Sequence, residues 1–282
     1  MHSGYIFRNV RITLGTDKTK GSQCMEYVQR GLTAGYRSID TAQAYMNEEA
    51  IGQAIQRSSV PRELVHVTTK ISAGFKRNPS SFDEVEDSAR GSLTRLGLDY
   101  LDMILMHHPG DDVVDPEAAD RRQTTWQGLE AMVEEGQVRS IGVSNFDISH
   151  LREMKQYARM LPAVNQIELH PWCRQQKLVD YCKNENISLQ AYLAIARNSR
   201  VSDEGLVAIA KKYSTSTAVI LLCYSLRKGY VPIVKAENTQ HLVSNLAAEK
   251  LCIADEDIAL MDTWEKGNKG SLLPWLMSST QM

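Results

Sequence analysis

The 282-residue sequence sets 32 Lys and Arg against 34 Asp and Glu, for a net charge of -2, and 43% of it is hydrophobic. Such a balance offers no positive field to gather nucleic acid or an anionic membrane, and the apolar share is too large for a disordered chain. The length allows about two domains at ~150 residues each, yet single α/β barrels routinely reach it.

From the N-terminus, residues 1–15 carry Arg8 and Arg11 within their only apolar stretch, a pattern unlike a secretory signal. β-Rich runs then recur at 10–15, 36–41, 64–70, 101–107, 138–144, 163–169, 187–193 and 230–235. Some, such as 101–106, are almost continuously apolar, as strands covered on both faces are. Amphipathic segments fill the intervals. Ser81-Phe-Asp-Glu84 reads as a capping box opening a helix over 82–96, which Gly97 stops. A helix over 126–135 ends at Gly136, and Ser202 is placed to cap one over 203–213.

Strands alternating with helices in this way predict a (β/α)8 TIM barrel, an α/β fold in a single domain over 1–282, with a doubly wound open sheet as the alternative. Two segments stand outside the beat: a loop at about 108–125 and a C-terminal tail at about 265–282. The tail's Leu272-Leu-Pro-Trp-Leu-Met277 is apolar enough to fold back over something. The longest apolar run, 218–224, falls far short of the ~20 residues that span a bilayer. Five Cys without a C-x-x-C pair point to buried thiols rather than disulfides or zinc. The expectation is a cytoplasmic protein, monomer or weak homo-oligomer, with a small-molecule partner and with neither nucleic acid nor membrane.

A barrel of this kind builds its site at the C-terminal ends of its strands. Those ends are polar here: Asp40, Lys70, His107, Ser144 with Asn145, Gln166 with Glu168 and His170, Tyr192, and Lys235. No Gly-x-Gly-x-x-Gly follows the first strand, so a Rossmann site has no support. His107-His108 looks like a metal pair, but adjacent strand residues face opposite ways and nothing nearby adds a ligand, so no metal is expected. Taken singly, each polar end could be a loop residue or a satisfied core group. A Lys and an Asp turned into one barrel mouth, however, must pair or cost several kcal/mol each, and such a network marks a candidate site.

The stretch Gly35-Tyr-Arg-Ser-Ile-Asp40-Thr-Ala-Gln-Ala-Tyr45-Met-Asn-Glu48-Glu-Ala-Ile-Gly52 resembles the first signature of the aldo-keto reductases throughout. Val67-Thr-Thr-Lys70, Leu96-Gly-Leu-Asp-Tyr-Leu-Asp-Met-Ile-Leu-Met-His107, Val138-Arg-Ser-Ile-Gly-Val-Ser-Asn-Phe146 and Val164-Asn-Gln-Ile-Glu-Leu-His-Pro171 are similar to further family blocks, in family order. The resemblance implies a barrel that reduces carbonyls with a nicotinamide dinucleotide. It maps the family's catalytic four onto Asp40, Tyr45, Lys70 and His107. Tyr45 is then the proton donor, Lys70 the cation that lowers its pKa, Asp40 the anchor of Lys70, and His107 a second donor to the carbonyl oxygen.

The same resemblance puts the nicotinamide against Tyr192, with its carboxamide held by Ser144, Asn145 and Gln166. It assigns further cofactor contacts to Gly15, Thr16 and Asp40, and to Leu193, Ala194 and Arg197. Around the last strand they fall on Lys235, Ala236, Glu237, His241 and Asn245. Substrate contacts fall on Asp17, Tyr45, His107 and His108. Where many relatives carry Lys-Ser-x-x-x-x-Arg to grip a 2′-phosphate, this sequence keeps Lys235 but has Ala236 and His241, with Glu237 in the same loop. The implied cofactor is NADP(H), with NAD(H) or dual use open. Leu193-Ala-Ile-Ala196 replaces the usual Ser-Pro-Leu-Gly, leaving Arg197 as a compensating cation. Asp17 and His108 replace common aromatic residues, which implies a roomier, more polar mouth and a hydroxylated, amine-bearing or bulkier substrate. Two other readings stand beside this one: a Schiff-base lyase using Lys70 or Lys235, and a cofactor-binding regulatory protein without turnover.

Overall fold

The computed structural model of the chain describes residues 11–72, 81–110, 117–236 and 238–276. Eight short parallel strands close on one another in sequence order. They are β1 (Thr13–Gly15), β2 (Ser38–Asp40), β3 (His66–Ile71), β4 (Met103–Met106), β5 (Ile141–Ser144), β6 (Val164–Glu168), β7 (Ser188–Tyr192) and β8 (Val231–Val234). The ring closes where Thr13 and Leu14 of β1 pair with Ile233 and Val234 of β8. An open sheet is thereby excluded, and the predicted (β/α)8 barrel is the fold. Each predicted strand overlaps an observed one.

Parallel neighbours need a crossover, and helices supply each of them. In chain order these are α1 (Gly21–Ala34), α2 (Glu48–Gln56), α3 (Phe82–Leu96), α4 (Ala118–Glu134), α5 (Ile148–Met154), α6 (Gln176–Asn184), α7 (Glu204–Lys212) and α8 (Thr217–Arg227). Two more, α9 (Thr239–Leu246) and α10 (Asp255–Asp262), follow β8. Ser81 caps α3 by accepting from the Glu84 amide, and Gly97 ends it at φ 61°, as the sequence predicts. The cap of α7 is Asp203 rather than Ser202, because the Asp203 carboxylate accepts from the Leu206 amide.

The segment expected to loop over 108–125 is helical from Ala118 onward. Its buried face includes Ala118, Arg122, Thr125, Trp126, Leu129 and Met132, a helical spacing that the arginine disguises. Arg122 is fully buried because its guanidinium pairs with Glu153 and donates to the Pro109 carbonyl. Of the thiols, Cys24, Cys173, Cys182 and Cys223 are buried as expected, whereas Cys252 is exposed. Among the described residues no single helix is long and apolar enough to cross a membrane.

Strand alternation divides the core in two. Leu14, Ile39, Val67, Ile71, Ile104, Met106, Val143 and Ala191 join the large apolar cluster shared with the helices. Met103, Leu105 and Val164 form a separate small cluster. The intervening phase holds Ser38, Asp40, Thr68, Lys70, Ser144, Gln166 and Gln190, all buried, and this is the phase that faces the barrel axis. Gly142 belongs to it and has no room for a side chain. A Cβ there would lie 2.8 Å from both the Leu105 side chain and the Val164 carbonyl oxygen. Gly142→Ala is therefore expected to destabilise the barrel by about 1–3 kcal/mol, read as a lower urea midpoint at unchanged slope.

Candidate active site

The axis-facing phase continues past the strand ends and assembles the mouth of the barrel. Gly15 of β1 pairs in register with Asp40 of β2, Ser144 of β5 with Gln166 of β6, and Glu168 of β6 with Tyr192 of β7. A cavity of about 640 Å³ opens there, within the usual range for small-molecule sites. Its walls include Asp40, Tyr45, His107 and Tyr192, and it extends to Lys235 and to His241 and Asn245 on α9.

Asp40 lies on the cavity floor with Lys70 beneath it, 3% and 1% exposed. The ammonium donates to Asp40 Oδ1 at 2.5 Å and to the Thr41 carbonyl at 2.8 Å. The other carboxylate oxygen, Oδ2, accepts from Gln166 Nε2 at 2.8 Å, and that amide also donates to Gln190 Oε1. One carboxylate thus ties β2, β3 and β6 together. A Schiff-base role needs a free amine facing the cavity, and the Lys70 amine is engaged below it.

Tyr45 ends a short 3-10 turn, Gln43–Tyr45, followed by Met46 at φ 52°. Gln43 anchors that turn to α3 by donating to the Ser88 carbonyl and to Ser92 Oγ. Asn47 fastens it from the other side. Its Nδ2 donates to the Thr16 and Thr19 carbonyls, while its Oδ1 accepts from Thr41 Oγ1. The phenol ring so placed lies 5.3 Å, centroid to Nζ, from Lys70 and 5.8 Å, edge on, from the His107 ring.

The electrostatics differ from the sequence expectation at Tyr45. Burial, with the nearby Asp40 and Asp17 carboxylates, pushes the phenol well above its ordinary value of 10. The Asp40 carboxylate that pairs with Lys70 thus adds to the rise and offsets the pull of the ammonium. His107 moves the opposite way: burial, then the Lys70 and His108 charges, lower its imidazole to about 3. Both side chains therefore stand in their neutral, proton-bearing forms near pH 7.

A second cluster lines the same cavity. Asn145, at φ 64° just past β5, donates through Nδ2 to the His107 carbonyl and to Ser144 Oγ. Its Oδ1 accepts from the Tyr192 hydroxyl at 2.7 Å, and Ser144 Oγ donates to the Gln166 carbonyl. These bonds hold the Tyr192 ring at the wall and leave acceptor lone pairs on Ser144, Asn145 and Gln166.

Most residues named from the sequence converge here, including Gly15, Thr16, Asp17, Leu193, Arg197 and Ala236. Two do not. His108 is off the wall, its Nδ1 accepting from the Gly110 amide, because its strand neighbour His107 takes the axis-facing side. Ala194 is fully buried and also off the wall, since the turn after β7 points it into the apolar core. Glu237 lies outside the described residues. Several wall residues escaped the sequence reading. Ser216–Ala218 at the start of α8 and Ser244 on α9 line the cavity. Ser216 is a helix cap, and its cap pattern was the one available signal at α8. The tail 272–277 was expected to close over this pocket, and its Leu273 and Leu276 line the cavity; Met277 lies outside the described residues.

The sequence profile of the aldo/keto reductase family matches residues 11–266. A glyoxal reductase of Bacillus subtilis is 35% identical over 260 residues, covering 91% of this chain and 89% of the relative. A crystal structure of an aldo-keto reductase from a Medee basin deep-sea metagenome library superposes with a TM-score of 0.82 at 34% identity, over 90% of this chain and 92% of that one. A Bombyx mori aldo-keto reductase solved in complex with NADP gives a TM-score of 0.81 at 31% identity, over 94% and 92% of the two chains.

The lowered imidazole gives a direct expectation. With its pKa at about 3 instead of 6.5, His107 stays neutral at any pH above that value. Its ring-nitrogen chemical shifts should remain those of a neutral imidazole from pH ~8 down to pH ~5, where an unperturbed histidine would be protonated. Titration of His107 near pH 6.5 would contradict the burial described above.

Proposed function

Since the chain belongs to the aldo/keto reductase family, we propose that it reduces the carbonyl of a small aldehyde or ketone to an alcohol, using NADP(H) and the Tyr45 proton. One observation carries this reading: a protonated phenol, a neutral imidazole, a carboxylate paired with a buried ammonium beneath it, and an amide cluster border one cavity. The NADP complex of the Bombyx mori relative supports the choice of cofactor.

The amide cluster fits a nicotinamide. A carboxamide offers two N–H donors and one acceptor, and the lone pairs left on Gln166, Asn145 and Ser144 suit those donors. Tyr192, tied by its hydroxyl to Asn145, presents a fixed ring against which a flat heterocycle packs. Lys235 faces the opposite reach of the cavity, where a phosphate would sit. When bound, the cofactor supplies hydride to the carbonyl carbon.

The chain's own residues handle the oxygen. As negative charge builds on it, His107 donates a hydrogen bond without surrendering a proton, because its imidazole is already neutral. Tyr45 gives its proton to the oxygen. An alkoxide is a much stronger base than a phenolate, so the transfer runs downhill even from a phenol whose pKa is raised. Lys70 then faces the phenolate at 5.3 Å from the ring centroid, and Asp40 holds that ammonium in place. Asp17 stays on the cavity wall after His108 drops out, and its carboxylate favours substrates bearing a hydroxyl or ammonium group.

Loss of absorbance at 340 nm with NADPH and a panel of small aldehydes and ketones tests the activity. Tyr45→Phe should lower kcat by about 10²–10⁴ while NADPH binding, followed by fluorescence titration, changes little. Near wild-type turnover in that variant would remove Tyr45 from the acid role.

Cofactor choice rests on Ala236 and His241. The Ala236 amide is taken up by the Tyr27 hydroxyl, and its methyl stands where a serine would offer a hydroxyl. Ala236→Ser with His241→Arg should lower the KM for NADPH by about tenfold or more and leave that for NADH nearly unchanged. Equal shifts for both cofactors would separate these positions from the 2′-phosphate.

A further inference from the structure

The strongest feature outside the proposed chemistry is a buried carboxylate at the end of β6. Glu168 is 1% exposed and, among the described residues, its only ion-pair partner is His170. Its Oε1 accepts from the Leu272 amide at 2.7 Å and faces His170 Nε2 at 3.0 Å. Its Oε2 accepts from Ser271 Oγ at 2.7 Å and from the Leu273 amide at 3.3 Å. Burial raises its carboxyl pKa, but the hydrogen bonds from His170, Leu272 and Ser271 outweigh that and hold it below the ordinary value. Three donors from one tail segment therefore converge on a barrel residue about a hundred positions earlier in the chain.

The chain on either side reinforces the seat. Just before it, the Lys266 amide donates to the Trp172 carbonyl, and Trp172 stacks on Trp264 with centroids 5.5 Å apart. Gly270 passes so close to the β6–α6 loop that a Cβ would fall 1.7 Å from the Trp172 carbonyl oxygen. Just after it, Leu273 and Leu276 form part of the cavity wall.

We propose that Glu168 is a positioning residue that latches the C-terminal tail over the cavity, and that this latch selects among carbonyl substrates by fixing Leu273 and Leu276. The selection clause rests on the reductase reading above; the latch itself does not. The chemistry of the latch demands a carboxylate. Both of its oxygens accept from N–H or O–H donors, so the NH2 of a glutamine would confront a donor in either orientation. Carbonyl compounds with an apolar body long enough to touch the leucines depend on the latch. The smallest aldehydes do not reach the leucines and are indifferent to it.

Glu168→Gln tests this with two independent readouts. Hydrogen exchange should show the Leu272 and Leu273 amides losing protection while the amides of β3 and β4 keep theirs. In steady-state kinetics kcat/KM for bulky apolar aldehydes should fall about tenfold more than for the smallest ones, through KM, with NADPH affinity unchanged. Gly270→Ala leaves Glu168 intact but forces the tail off Trp172, and it should give the same pattern even if the buried glutamine impairs folding. Leu273→Ala with Leu276→Ala should shift selectivity while the Leu272 amide stays protected. Protected Leu272 and Leu273 amides in Glu168→Gln, or equal losses for large and small substrates, would overturn the latch. A wild-type protein that oxidises no NADPH would overturn the reductase reading instead, and the exchange data would still decide the latch.

Discussion

An ammonium buried against a carboxylate, Lys70 on Asp40, is the constraint around which the mouth of this barrel is arranged. Two charges at 1% and 3% exposure each incur a large desolvation cost, and their mutual attraction offsets it only with good geometry and further hydrogen bonds. Both conditions are met. The Thr41 carbonyl accepts from the ammonium, and Gln166 donates to the second carboxylate oxygen. Such a pair adds little net stability compared with well-packed apolar side chains, but removing either partner leaves an uncompensated buried charge. What the pair provides is position: it fixes β2, β3 and β6 relative to one another, with Tyr45 above the ammonium.

The same dry environment acts in opposite directions on the two groups above the pair. Burial penalises charged forms, so it raises a phenol and lowers an imidazole. Both end as neutral donors. An isolated Tyr45 beside an isolated Lys70 would behave differently, with the cation pulling the phenol down. Asp40 cancels most of that pull, so the proton stays on the phenol until a stronger base than phenolate forms at the site. The arrangement suits a reaction in which charge develops on a substrate oxygen and is quenched at once.

Around this fixed centre the adjustable parts are loops and termini. Asn47 binds the Tyr45 turn to the loop after β1, and Glu168 binds the tail to the end of β6. Each is a single buried polar side chain that satisfies backbone groups of a second segment, as buried polar groups generally must. In both cases a segment remote in sequence is brought to the cavity by one side chain rather than by an apolar face.

How much of this was legible in the sequence follows from the range of each interaction. Alternation along a strand is local. Asp40, Lys70, His107, Ser144, Gln166 and Tyr192 could therefore be placed at one rim, and closure of β1 on β8 put them there. Capping is local too, with Ser81 found and Asp203 missed by one position. The start of α4 was hidden because its inward face carries Arg122, whose partners Glu153 and Pro109 lie on other elements. The pKa of Tyr45 depends on burial and on which carboxylate claims Lys70, and His108 left the cavity wall through the turn at Gly110. Leu273 and Leu276 reached the cavity through Glu168, about a hundred residues away. The sequence alone thus determined the barrel and the identity of its polar rim, because those depend on periods of two and three to four residues. Only the tertiary structure decided which protons are held and what covers the mouth, because those depend on desolvation and on hydrogen bonds between distant segments.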